Sequence, residues 1–591
     1  MEPLTPLQKR VVLALTILVG LTRFLAVAHS LWDWDEALFV LGVRDYDVTQ
    51  HQPHPPGYPL FILAAKFFHL FGIPEYRSLQ IVVLLSAMTL FPALVALARE
   101  CGFDFWTSLC GATIFTFLPN VWVHGGTAFS DVPASALALL SSALLLRGRR
   151  DARAYLLGAI VLAIGAGVRP QNLVIGFVPA VLATIVRARE SLRVVIVAIV
   201  LGAAIVIASY GGAVLASTTL SEYAGAIERQ SQWVHDVDSY HSPIRPPLID
   251  LAKMFFVKFV AQKRLTIALA ALALLSIVIS IATRNWRKLL PLAIFGPFAI
   301  LAWLNLDFSC IGRYSVGYVA MHALLAADAM GVIAVYAGRY RVVAQTMMLL
   351  ALMGPFVRWT WRGLTIQRTT DSPPAAAMRW IREHAAPDAP LFIHGGYRPH
   401  AEALLPGRAK QYFERDEDVA TLHGGWVVDA RSSGAAVTFR RERRPLAGIM
   451  RDRWFEVSVL PVSNLVRFGA GWYDRETDGE RVWRWMMREG VATLPPVEGN
   501  GRFVLRFGVP LESLPHPPSI EVWFNGALLE RFTPTAPDVE KSWLLPSRRG
   551  ALNDLRITTS DVANPKKLGT SDDSRDLGLR LTYLSWTAAT R

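Results

Sequence analysis

Long apolar runs separated by short arginine-bearing loops constrain this 591-residue chain more than any other feature. The runs lie at 11–30, 78–98, 107–123, 132–146, 154–168, 171–186, 194–216, 265–283, 289–306, 314–337 and 342–359. With flanking aromatic or charged anchors, each reads as a membrane span. Lys9 and Arg10 precede the first. Arg147, Arg149, Arg150 and Arg153 follow the fourth, and Arg187, Arg189 and Arg193 the sixth. Arg284, Arg287 and Lys288 follow the eighth, and Arg339 and Arg341 the tenth. Eleven spans put all these loops on one side, which their charge marks as cytoplasmic. The odd count then exports everything after the last span. Trp32, Trp34, Trp303, Trp359 and Trp361 fall at outer span ends, as an interfacial aromatic belt does. The first run lacks a small-residue cleavage site and reads as a retained helix.

Composition narrows the class further. Hydrophobic residues make up 52% of the chain, which excludes an ordinary soluble enzyme. Three cysteines exclude a disulfide scaffold, and no CxxC occurs. The net charge of +13 sits in the span-connecting loops rather than in a basic stripe, so nucleic-acid binding is excluded too. The expected fold is an α-helical multi-pass membrane module of about eleven helices over residues 1–360, followed by a small α/β segment over 361–430. A β-sandwich of jelly-roll type is expected over 431–591. Strands are expected at 391–396, 455–459, 503–507, 520–524 and 579–584, and Asn525-Gly526 marks a hairpin. Trp472, Tyr473, Trp483 and Trp485 suit either a sugar-binding platform or a sandwich core.

Chemistry concentrates in the connection 31–77. Asp33, Asp35 and Glu36 place three carboxylates within four residues. Such a cluster suits a divalent metal ion or a positioned general base, and it also suits a solvated helix start. Asp33, Asp35 and His51 form the candidate metal set. The segment from His51 through His54 and Tyr58 to Leu60 carries four prolines, which predicts a rigid extended stretch. Ser130 and Asp131 open the fourth span, either as a helix cap or as a cavity-facing pair. Arg169 lies between two spans, where an arginine costs about 2.5–3.5 kcal/mol unless it is partnered or snorkels to the interface. Arg313 and Tyr314 open the tenth span, and Asp328 falls in mid-span with a structural role expected. His124, His235 and His241 read as solvated or substrate-contacting. Glu222, Glu228, Arg229 and Trp233 suit an amphipathic surface helix.

An Asp-Glu pair just after the first helix, followed by His-Pro-Pro-Gly-Tyr-Pro, resembles the GT-C superfamily of polyprenyl-phosphate-sugar-dependent glycosyltransferases. The branch it looks most like is the protein O-mannosyltransferase and aminoarabinose-transferase type, the family-39-like bacterial enzymes. The resemblance covers residues 10 to about 360 in layout. It implies a bacterial inner-membrane enzyme whose donor is a polyprenyl-phosphate sugar and whose acceptor is a glycan, lipid or protein. It further implies Asp35 as the base, with Glu36 beside it, and Asp131, His54 and Tyr58 facing the substrate cavity. An Arg-Tyr at a late span implies Arg313 and Tyr314 on the donor phosphate, and Arg169 is expected to join them as a second clamp. The competing class is a transporter or flippase of lipid-linked sugars, which shares the spans and the buried arginines. No inverted repeat is evident for it.

Overall fold

The computed structural model describes residues 4–589 except 244, 260–262, 416–417, 420–423, 431–433, 443–445, 447, 452–455 and 478–481. The chain divides into two compact units. One comprises residues 1–372 and 442–451, the other residues 373–441 and 452–591.

In the first unit all eleven apolar runs are helical. Among the described residues, six helical segments are long and apolar enough to cross a membrane, including Glu75–Glu100, Asp131–Gly148 and Leu192–Ser217. The opening helix, Pro6–Arg23, starts on a reciprocal capping box between Thr5 and Gln8 with proline at its first position. A further apolar helix, Pro59–His69, was not among the expected spans. At 11 residues it is too short to stand out against the longer runs.

The connection after the first helix is built rather than loose. Helix Trp34–Arg44 is capped by the Asp33 carboxylate, and Glu36 closes the capping box. The proline-rich stretch after it is a compact turn, not the extended segment expected. His51 and Tyr58 adopt left-handed backbone (φ 59° and 46°), as does Gly57 (φ 95°). Tyr46 Oη donates to the Gly57 carbonyl at 3.0 Å, and Tyr223 Oη donates to that of Pro56 at 2.7 Å. Tyr223 belongs to helix Leu220–Trp233, the amphipathic helix expected there.

In the second unit, helix Pro373–His384 buries Ala377, Met378 and Ile381 along one stripe. The sheet beside it in sequence runs in the order 411–413, 391–394, 426–429, 456–461 and 437–440. Its first three strands are parallel and the rest antiparallel. A boundary at residue 430 falls inside this sheet, because strand 456–461 pairs with 426–429. Phe455, the first residue of one expected strand, lies outside the described residues.

The rest is a sandwich of two five-stranded sheets. Apart from the hairpins 472–477/482–486 and 520–524/527–532, successive strands alternate between the sheets: 482–486, 500–508, 538–546 and 580–588 lie in one, and 489–494, 520–524 and 553–559 in the other. That alternation is jelly-roll connectivity. Phe503, Leu505 and Trp586 from one sheet meet Ile520, Val522 and Leu555 from the other in one core. Alternation along each strand sends the intervening residues outward. Asn525 and Gly526 form the expected hairpin turn, both with positive φ.

Candidate active site

The first unit gathers four charged side chains, distant in sequence, into one buried cluster. Arg313 is its centre, at 2% exposure. It lies in the single helical turn Ile311–Tyr314, which follows a turn capped by Asp307. Its Nη1 donates to Asp35 Oδ2, and its Nε donates to Asp131 Oδ2 at 2.9 Å. Its guanidinium stacks on the Phe129 ring at 4.1 Å and lies 5.5 Å from the Tyr314 ring. Asp131 also meets Arg169, whose Nη1 lies 3.3 Å away. Arg169 donates to Ser130 Oγ at 3.0 Å and faces the Tyr58 ring at 5.8 Å. His54 Nε2 lies 2.8 Å from Tyr58 Oη. The cluster thus brings Asp35, Asp131, Arg169, Arg313, Tyr58, Tyr314 and His54 together.

Several expectations change. Arg169 is 4% exposed and ion-paired, so it does not snorkel. Ser130 makes no side-chain cap bond; its hydroxyl serves Arg169 instead. Glu36 is fully buried, and its carboxylate accepts backbone N–H bonds from Trp32 at 2.6 Å, Asp33 at 3.1 Å and Ala128 at 2.7 Å. It thereby ties the loop to the backbone at Ala128. Asp328 has partners in Ser276 at 2.8 Å and Lys288 at 2.6 Å. His124 is buried against the Ile449 carbonyl at 3.1 Å, and His235 stacks on His241.

The metal set does not assemble. Asp33 and Asp35 are each engaged elsewhere, and His51 lies at the surface, so the three are not gathered as one ligand group. Asp33 caps its helix and lies 3.9 Å from Arg451, Asp35 holds Arg313, and His51 is exposed. Among the described residues no group of three or more His, Cys, Asp or Glu could hold a metal ion.

Electrostatics separates the two neighbouring carboxylates. Burial works to raise the Asp35 carboxyl. The charges of Arg313, His54 and Arg451 outweigh it and hold Asp35 well below the usual carboxylate range. Among the described residues no cation offsets the burial of Glu36, which pushes it up to about 7 despite the N–H bonds from Ala128 and Trp32. Burial lowers His54 to about 4, with Asp35 opposing. For Arg313, burial is outweighed by Asp131 and Asp35, which raise it well above its ordinary value.

Two contributors were invisible in the sequence. Phe129 carries no polar signal. Arg451 lies 141 residues beyond Cys310, yet its Nε reaches Cys310 Sγ at 2.7 Å and its Nη2 lies 3.4 Å from Asp307.

No family model and no curated protein matches the chain. Solved structures do resemble it. The oligosaccharyltransferase of Archaeoglobus fulgidus, tethered to an acceptor peptide, matches at TM-score 0.46 and 12% identity, over 71% of this chain and 69% of that one. ArnT from Cupriavidus metallidurans, bound to undecaprenyl phosphate, matches at TM-score 0.47 and 13% identity, over 76% and 97%. The mycobacterial arabinofuranosyltransferase AftD matches at TM-score 0.46 and 12% identity, over 100% of this chain and 59% of its own. The chain therefore spans about three-fifths of AftD's length.

Proposed function

We propose that the protein is a membrane glycosyltransferase that moves a sugar from a polyprenyl-phosphate carrier to an acceptor hydroxyl on the extracytoplasmic side of a bacterial inner membrane. The observation that carries this reading is the sharing of two buried arginines, Arg313 and Arg169, by Asp35 and Asp131. Burying two guanidinium groups is costly, and each carboxylate offsets part of that cost. A planar, permanently charged donor pair suits an incoming phosphate.

In the proposed reaction the acceptor oxygen attacks the anomeric carbon while Asp35 takes its proton. The bond from that carbon to the phosphate oxygen breaks, and the electron pair leaves on the lipid phosphate. A single displacement of this kind inverts the anomeric centre. Negative charge grows on the phosphate as the bond breaks, so Arg313 and Arg169 stabilise the transition state more than the ground state. Tyr58 and His54 border the same space. Each step is carried by the chain's own residues.

Asp35 cannot be a strong base while Arg313 holds it, because a depressed carboxyl accepts a proton poorly. Donor phosphate drawing Arg313 away would release it. Binding and base activation are then one event.

The sandwich is assigned a glycan-binding role. Trp472 helps to wall its core, with Nε1 bonded to the Val491 carbonyl at 2.9 Å, so it is not the platform. Support comes from a groove of 640 Å³ lined by Arg467, Thr493, Trp523 and Arg556, among others. Purified protein incubated with a short-chain polyprenyl-phosphate sugar and acceptor tests the whole reading. Covalent transfer supports it, and movement of the lipid-linked sugar across vesicles without transfer would make the protein a carrier.

A further inference from the structure

Leu446 and the strap Gly448–Arg451 belong to the first compact unit although they come from far beyond the last apolar run. Leu446, Ile449 and Met450 are buried there, and His124 holds the Ile449 carbonyl. The strap's backbone lies directly against Gly312: a Cβ built on that glycine would collide with the Gly448 carbonyl oxygen. Gly312 precedes the arginine at the centre of the cluster, so the strap and the turn that carries Arg313 are packed backbone to backbone.

Arg451 ends the strap between two carboxylates. Its guanidinium lies 3.4 Å from Asp307 and 3.9 Å from Asp33, and its own side chain is 12% exposed. Asp33 caps the helix that carries Asp35, and Asp307 caps the turn leading to Arg313. Arg451 thus ties the element of the candidate base to the element of the candidate clamp. It also balances charge. The neighbourhood holds four aspartates (Asp33, Asp35, Asp131 and Asp307) against three arginines (Arg169, Arg313 and Arg451), all sharing ion pairs or hydrogen bonds. Without Arg451, Asp33 and Asp307 would keep their backbone N–H partners but lose the cation they share, in a poorly solvated setting where like charge is strongly felt.

We propose that Arg451, delivered by this strap, is a positioning residue of the donor-phosphate site: it neutralises Asp33 and Asp307 so that Arg313 and Arg169 remain available to the phosphate. This rests on the reading of Arg313 as a phosphate clamp. Binding of a short-chain polyprenyl phosphate to the full-length protein in detergent tests it without any turnover. Arg451→Gln should weaken binding about tenfold, the effect of losing one charge-assisted contact's worth of free energy. Arg451→Lys should return affinity to within about threefold, because the charge is restored even though the planar fork is not. Combining Arg451→Gln with Asp33→Asn should recover affinity as well, since asparagine still caps the helix but carries no charge. Parent-like binding by folded Arg451→Gln would overturn the proposal. So would a loss that neither the lysine nor the charge-removing pair restores, which would mark Arg451 as packing only. Arg313→Gln runs in parallel: parent-like binding by that variant would remove the clamp reading itself, a different failure from that of Arg451.

Discussion

Donor binding should change the titration of Asp35, because the same guanidinium serves the carboxylate in the free protein and the phosphate in the complex. Arg313 Nη1 donates directly to Asp35, and this contact is the main favourable charge on that carboxyl. A charge-assisted hydrogen bond of this kind is worth about 1.5–3 kcal/mol. At about 1.36 kcal/mol per pKa unit, its transfer to phosphate raises Asp35 by about 1–2 units. His54 and Arg451 still lower it, so Asp35 rises only toward the ordinary carboxylate value of about 4. A depressed carboxylate stays ionised until the pH falls through its own pKa, so activity is lost on the acid side. The acid limb of kcat/KM for the donor reports the free protein, and that of kcat reports the loaded one. The limb of kcat should therefore lie about 1–2 pH units higher. The profiles are best measured in a Glu36→Gln background, which removes the carboxyl that titrates near 7. Coincident limbs would refute the idea that one arginine is exchanged between Asp35 and phosphate.

Arg313→Ala should weaken donor binding by about 10- to 150-fold while leaving acceptor KM unchanged, with Arg313→Lys recovering only part; equilibrium binding and initial rates check both. Glu36→Gln should alter stability rather than chemistry, because Glu36 faces backbone N–H groups and not the arginines. Its carboxyl is raised in the folded protein from 4.5 to about 7, so the folded state keeps the proton and the parent loses stability as pH rises across that window. The parent's melting temperature should thus fall relative to Glu36→Gln between those values and run parallel to it above them. Trp523→Ala should weaken glycan binding by the sandwich without moving its melting temperature, since Trp523 faces outward and is absent from the core; glycan-array binding with thermal denaturation checks this.

Much of the helical unit was legible because apolar length and loop charge are written locally. Pro59–His69 was missed because an 11-residue helix carrying Lys66 and His69 looks like a loop's hydrophobic stretch, and the turn before it because prolines beside a glycine with φ 95° fold back. The sandwich strands and the Asn525-Gly526 turn followed from alternation and turn chemistry. In the site, Asp35, Asp131, Arg169 and Arg313 each stood out as charge amid apolar residues. Their partnership did not, since Arg313 reaches Asp35 across 278 positions and Asp131 across 182. Nor could adjacency tell Asp35 from Glu36. They sit side by side on one helical turn, about 100° apart, so one points to the arginines and the other to the backbone. Arg451 carried no signal, because nothing in a basic residue so far beyond the last apolar run says that its strap returns.

The central claim is that Asp35 accepts the acceptor's proton. Single-turnover transfer by purified, folded Asp35→Asn protein with donor already bound tests it most directly. Asparagine keeps the shape but cannot take a proton, so transfer should slow by about 10²–10⁴ while donor remains bound. Near-normal transfer by that variant would contradict the account.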